Sequence, residues 1–287
     1  MNVAVLSGKG GTGKTLVSVN LAAAAGQAVD LDCDVEEPNG HLFFKPTELR
    51  QIPVTVKIPS VNADLCNGCR VCVDFCKFHA LAFTGGKWMV FDEICHSCGG
   101  CALLCPQKAL TERDRAIGFI QTGTSGGVKV LTGFLDPGEA SGIPIIKKIF
   151  AKAPSGADPV FIDCPPGSAC IVMESIQDAD YCVLVAEPTL FGLHNLEMVH
   201  DLVKLFRKPF GVVLNKCMAG INPSEVYCKQ QGIRILLEIP FDEDIGRLNS
   251  DGRILVRDDP KYQALFHGLL DTIRQEVAHE TTADPER

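Results

Sequence analysis

No run of basic residues occurs anywhere in the 287-residue chain, and 27 Lys and Arg face 35 Asp and Glu, a formal net charge of −8. Neutralising a phosphate backbone needs clustered cations, so no nucleic-acid partner is expected. No apolar stretch is long enough to span a bilayer, which argues against stable membrane insertion. Met1 leads directly into an apolar strand without a charged leader, so no secretory signal is expected and the compartment reads as cytoplasmic. What the chain does have is cysteine, fourteen in all. Without export, that many thiols point to metal ligation rather than disulfides.

The length suits one large α/β domain and a small one. Asn2 to Leu6 reads as a buried strand, Lys14 to Ala25 as a helix and Ala28 to Leu31 as a second strand. That βαβ order implies a parallel sheet. Further apolar runs at 159–162, 181–186, 210–214 and 233–237 alternate with helical patterns at 169–177, 190–206 and 223–231, and a last helix spans about 261–277. Residues 60–111 break the rhythm with Cys-rich turns and two short strands around Gly85-Gly86. The expected organisation is therefore a main domain of residues 1–59 and 112–287 with 60–111 inserted. Pro53, Pro59 and the stretch from Gly118 to Gly127 read as its linkers.

Two copies of C-x2-C-x2-C-x3-C fill the insertion: Cys66, Cys69, Cys72, Cys76 and Cys95, Cys98, Cys101, Cys105. Soft thiolates at this spacing suit two [4Fe–4S] clusters; structural zinc, which favours CxxC pairs across a longer gap, is the competing explanation. The clusters could conduct electrons or serve only as staples. The remaining cysteines, Cys33, Cys164, Cys170, Cys182, Cys217 and Cys228, read mostly as small core residues.

Gly8 to Thr15 reads GKGGTGKT between a strand and a helix. Glycines let backbone N–H groups face an anion, and the helix offers its positive end. Gly8, Lys9, Gly10, Gly11, Thr12, Gly13, Lys14 and Thr15 are thus the candidate phosphate cradle. Lys14 reaches the β- and γ-phosphates, and the Thr15 hydroxyl ligates Mg2+.

With its early Lys9, the loop resembles the deviant Walker A of the MinD, ParA and nitrogenase iron-protein class. LDCDVEEPN, FIDCPPG and EPTLFGLHNL extend that resemblance, and the cysteine runs resemble a bacterial two-cluster ferredoxin. Together the chain is similar to MinD/ParA/Mrp-type P-loop ATPases containing an inserted ferredoxin domain. The resemblance implies an α/β P-loop fold binding ATP or ADP with Mg2+, and an ATP-dependent homodimer in which Lys9 crosses to the partner's phosphates. Asp34 would orient the attacking water, Asp163 would hold Mg2+ through water, and the Gly167 amide would sense the γ-phosphate. Asn215, Pro240 and Asp242 would flank the adenine. By the ferredoxin likeness, one cluster takes Cys66, Cys69, Cys72 and Cys105, the other Cys95, Cys98, Cys101 and Cys76. Lys77 stands where a ferredoxin's first run usually has proline.

The expected function is ATP hydrolysis that gates electron transfer, or metal or cluster delivery, to a client metalloprotein. One alternative is a positioning or complex-assembly ATPase with structural or sensory clusters. Another is an iron–sulfur cluster carrier, against which stands the lack of a CxxC in the last third of the chain. No second cysteine near Gly123 to Gly127 accompanies Cys170, so a third, dimer-bridging cluster is not expected.

Overall fold

Short apolar runs buried on both faces form a central sheet, as their composition requires. The computed structural model describes residues 1–154, 156 and 158–283. Its strands are β1 (Asn2–Leu6), β2 (Ala28–Asp32), β3 (Thr47–Val61), β4 (Leu81–Thr84), β5 (Lys87–Val90), β6 (Leu110–Ser125), β7 (Val128–Leu135), β8 (Val160–Asp163), β9 (Tyr181–Ala186), β10 (Phe210–Cys217) and β11 (Ile235–Pro240). The large sheet runs β11-β10-β9-β1-β8-β2-β7-β6-β3, while β4 and β5 form a separate hairpin. From β11 to β7 every pairing is parallel; β6 and β3 join antiparallel at one edge.

The helices are α1 (Lys14–Ala25), α2 (Gly40–Phe44), α3 (Val71–Phe75), α4 (Gly100–Leu103), α5 (Ile143–Lys152), α6 (Cys170–Ile176), α7 (Leu190–Leu205), α8 (Pro223–Gln231), α9 (Glu243–Ser250), α10 (Leu255–Asp258) and α11 (Pro260–Ala283). Successive strand residues point to opposite faces. Val3 and Val5 therefore join a core under α1, α9, α10 and α11, and Ala4 and Leu6 join another under α5, α6, α7 and α8. This is an α/β P-loop NTPase fold with a mostly parallel sheet between helices. Helix α11 lays Tyr262, Phe266, Leu269 and Ile273 into the first core. No helix among the described residues is long and apolar enough to cross a membrane.

The expected linkers are strands instead. Pro53 and Pro59 lie within β3 and Gly118 within β6, and these two strands pair from Thr47↔Thr124 to Val61↔Leu110. Beyond Gly118, where β7 ends, they continue as a two-stranded ribbon into the Cys-rich segment. Proline is tolerated because β3 is the sheet edge, where a missing donor leaves no neighbour unpaired. Gly118 has φ 147° and stands against the Phe134 carbonyl, where a side chain has no room.

Candidate functional site

The parallel strands deliver their carboxyl ends to one place, the usual location for a ligand in this architecture. Ser7 follows β1, Asp32 and Asp163 end β2 and β8, and Glu187 follows β9. Gly13 precedes α1 at φ 102°, and no side chain caps the helix, so its first N–H groups are open to an anion. Gly8 is pressed against Asn195 of α7 and Gly13 against the Asn215 amide, so neither position has room for a Cβ. Lys9, Gly10, Gly11, Gly13, Lys14, Thr15, Asp34 and Asn39 line one cleft of about 560 Å3, a size suited to a cofactor.

Lys14 is buried and donates to Asp163 Oδ1 at 2.7 Å, with Asp34 Oδ2 at 3.5 Å. Burial opposes its charge, but Asp163, Asp34 and Asp32 outweigh that and raise it above the ordinary lysine range. Asp34 is itself pushed up by burial, against the pull of Lys14. Asp32 accepts the Asp34 and Gly40 N–H groups, yet burial, then Asp163, push its carboxyl up to about 8. Asp30, one turn of the pleat back, is raised well above the carboxylate range by burial, then by Asp32 and Asp163. The second oxygen of Asp163 is buried without a partner. An unpartnered carboxylate oxygen beside the Thr15-lined cleft fits a hydrated Mg2+.

Lys9 pairs with Glu187 Oε2 at 2.8 Å and lies 5.0 Å from the Phe191 ring centroid. The Gly167 N–H donates to the Ser7 carbonyl at 2.9 Å. Asn215 donates to the Thr12 carbonyl at 2.8 Å and thereby braces the loop. Asp242 caps α9 through the Asp244 N–H and accepts from Lys261 and Tyr262 of α11, and Pro240 ends β11. These three are not among the residues that line the cleft.

In the Cys-rich segment a shift of 29 residues carries Cys66, Cys69, Cys72 and Cys76 onto Cys95, Cys98, Cys101 and Cys105. The backbone repeats with it. Left-handed residues recur as Gly68 and Ser97, Arg70 and Gly99, His79 and Lys108. The Ala80 N–H points to Cys76 Sγ at 3.4 Å and the Ala109 N–H to Cys105 Sγ at 3.3 Å. Phe91 N–H donates to the Ala80 carbonyl and Asn62 N–H to the Ala109 carbonyl, the reciprocal pair. Exposure follows suit: Cys72 and Cys101 are buried, Cys69 and Cys98 exposed.

Cys76 from the first run joins Cys95, Cys98 and Cys101 in lining one cavity, walled by Phe75, Phe78 and Leu81. On the other side, burial raises the Cys72 thiol and both Cys105 and Cys69 add to it. The Trp88 indole N–H donates to Cys66 Sγ at 3.1 Å. Among the described residues no three His, Cys, Asp or Glu side chains close to the spacing of a single metal ion. A cubane makes a different demand, because each thiolate takes its own iron and the four sulfurs stand further apart. The crossed grouping and the N–H···S contacts fit that donor set.

A joint links the two regions. Arg115 on the ribbon makes a bidentate pair with Glu139, one bond being 2.6 Å, in the turn between β7 and α5. Both lie in the wall of a cleft of about 260 Å3 whose far side is Cys95, His96 and Ser97. The same turn reaches the nucleotide side. Leu135 N–H donates to the Val35 carbonyl at 2.9 Å, and Gly142 is packed against Val35 and Ile171.

Comparison with known proteins decides the family. The CobQ/CobB/MinD/ParA nucleotide binding domain matches residues 3–256. The chain belongs to this family. Uncharacterized protein MJ0578 of Methanocaldococcus jannaschii is 30% identical over 280 residues, covering 96% of this chain and 97% of the relative. Uncharacterized protein MJ0579 of the same organism is 27% identical over 250 residues, 85% of this chain and 87% of its own. Among solved structures, MinD of Pyrococcus horikoshii with Mg-ADP superimposes with TM-score 0.60 at 19% identity, covering 95% of each chain. MinD of Pyrococcus furiosus gives 0.60 at 20%, covering 96% of this chain and 98% of that one. At such identities these structures speak for the fold.

Within this nucleotide-binding family, sequence reasoning missed three functional candidates. Glu187 sat inside the quoted EPTLFGLHNL without a role; its two lysine partners become visible only in three dimensions. Arg115 and Glu139, 24 positions apart, carry no local signal of pairing. The four deeper thiols, Cys33, Cys164, Cys182 and Cys228, are buried as expected, while Cys170 is exposed at the start of α6.

Proposed function

We propose that the chain is an ATP-hydrolysing iron–sulfur protein in which a nucleotide-switched homodimer gates electron transfer to a client metalloprotein. The observation that carries this reading is the gathering of Cys76, Cys95, Cys98 and Cys101 around one cavity, braced against the turn that touches Val35 beside Asp34. The residues 60–111 then act as a ferredoxin-like unit inserted between residues 1–59 and 112–287. Two [4Fe–4S] clusters, held by Cys66, Cys69, Cys72, Cys105 and by Cys95, Cys98, Cys101, Cys76, would supply one-electron transfer.

At the nucleotide site the chain's own groups divide the work. The amides of Gly8 to Thr15 cradle the phosphates, and Lys14 exchanges Asp163 and Asp34 for phosphate oxygens. That exchange leaves Asp163, with Thr15, to hold Mg2+, and leaves Asp34 to orient the attacking water. Gly167 must give up Ser7 to sense a γ-phosphate. For Asn215 to read adenine beside Pro240 and Asp242, its amide must leave Thr12. Movement of Asp34 pulls on Val35, hence on Leu135 and Glu139, and so on the ribbon beneath Cys95. A MinD-like fold is also what a positioning ATPase would have; the paired cysteine runs favour the redox reading, since positioning needs no conductor.

Oxygen-free purification with metal and sulfide analysis tests the proposal. About eight iron and eight sulfide per chain are expected, with the reduced-cluster electron paramagnetic resonance signal altered by a non-hydrolysable ATP analogue. Zinc, or no metal in a chain that hydrolyses ATP normally, overturns it.

A further inference from the structure

Glu187 holds two lysines at once. It lies just after β9, 8% exposed, with Lys9 Nζ 2.8 Å from one oxygen and Lys216 Nζ 2.6 Å from the other. Lys216 also donates to the Gly11 carbonyl at 2.8 Å, so a single carboxylate ties two points of the phosphate loop to the end of β10. Its own backbone is fixed, because the Glu187 carbonyl accepts from Ser224 Oγ and from the Thr189 N–H, each at 2.9 Å. Burial opposes its ionisation, but Lys216 and Lys9 hold the carboxyl below the usual range. The Lys9 ammonium also lies over the face of the Phe191 ring, itself 61% exposed.

We propose that Glu187 is a positioning residue, a latch that keeps Lys9 on its own chain and sets the ATP concentration at which two copies associate. The inference rests on the homodimer reading given above. Glu187 and the phosphates of a second copy's nucleotide compete for one ammonium. A triphosphate offers more negative charge than a carboxylate already shared with Lys216, so the exchange runs toward the dimer once nucleotide is present. Release strands no buried charge, because Lys216 stays behind to satisfy Glu187. Phe191 and its neighbour Leu190, 77% exposed, present an apolar surface beside the latch that such an association would cover.

The test is the ATP concentration for half-maximal self-association, read by light scattering after gel filtration or by sedimentation, with ADP as a second arm. Glu187→Gln frees Lys9 and is expected to lower that concentration about three- to tenfold. Lys9→Ala in the Glu187→Gln background should abolish the gain. Glu187→Asp, which retreats from Lys9 but keeps the charge, should fall between and serves if the glutamine variant does not fold. An unchanged or raised ATP requirement in a folded Glu187 variant that binds nucleotide normally overturns the latch, as does a gain that survives Lys9→Ala. If Lys9→Ala alone associates as the unaltered chain does, the homodimer role of Lys9 is wrong and the latch falls with it. Loss of nucleotide binding in Lys14→Ala is the separate check on the phosphate site itself.

Discussion

The two regions of the molecule are held together by different physics. The body buries apolar side chains on both faces of its sheet, including Phe161, Tyr181, Phe266 and Ile146, each contributing about 1.5–3 kcal/mol. The Cys-rich segment gathers one small cluster of buried residues, Cys72, Leu81, Cys101 and Leu110, two of them proposed ligands. It leaves Leu65, Met89, Phe91 and Leu103 exposed. On the reading proposed above, a segment built this way would depend on its clusters for order, whereas the body would not. Nucleotide and metal should therefore be separable in their effects.

The largest effect expected from that contrast follows metal removal. Chelation under reducing conditions should bring residues 62–109 to nearly unprotected amide exchange, while β1, β8 and β9 keep their protection. Exchange that stays slow in the metal-free segment would mean it folds on its own packing. The reciprocal change is Lys14→Met, which takes the charge from the phosphate cradle but keeps the stem. ATP affinity should drop about 100-fold, near 3 kcal/mol, with iron content unchanged. Calorimetry and metal analysis on one preparation check both halves.

The same contrast explains what could be read in advance. The phosphate loop, α1 and the parallel strands are local patterns, and each lies where its apolar run lies. The cysteine spacings are local too. Strands β3 and β6 escaped notice because TELRQIPVTVK and LTERDRAIG mix charge, proline and glycine, and their pairing spans about fifty to eighty positions; β7, mostly apolar, pairs with β6 across the Gly126-Gly127 turn, which reads as linker in sequence. Edge and ribbon strands face water and need no continuous apolar run. The Ile233 to Leu237 expectation began two residues before β11 does, as strand ends are set by hydrogen bonding rather than hydropathy. Lys9 was legible as a residue, but not its hold on Glu187.

The joint between the regions gives an intermediate effect. Glu139→Gln removes the countercharge of Arg115, whose Nε is already buried without a partner. The expected cost is about 2 kcal/mol, spread over ribbon and turn. Iron content and ATP affinity should persist, while the nucleotide-induced change in the reduced-cluster spectrum should weaken or vanish. A spectrum that still responds fully to nucleotide would show that the signal travels by another route, through α5 and α6.

The smallest effect concerns the acid cluster beneath the phosphate loop. Burial, and then Asp163, push the Asp32 carboxyl up to about 8 in the folded chain, against an ordinary value near 4 when unfolded. Between those limits the folded chain holds a proton that the unfolded chain has released, so stability falls as pH rises through that window and levels off above it. Asp30, raised in the same direction, adds to the slope. Asp32→Asn removes one contribution, leaving those of Asp30 and Asp34, and should flatten, without abolishing, the decline in denaturation midpoint of the nucleotide-free body between about pH 5 and 8. Asparagine offers one acceptor oxygen where Asp32 meets the Asp34 and Gly40 N–H groups with two, so absolute stability should also fall by about 1 kcal/mol. The slope, not the offset, is therefore the quantity to compare. Amide protection in residues 62–109, which the proposed clusters would set instead, should not follow it; a variant that altered both equally would show that the acid cluster and the Cys-rich segment titrate as one unit.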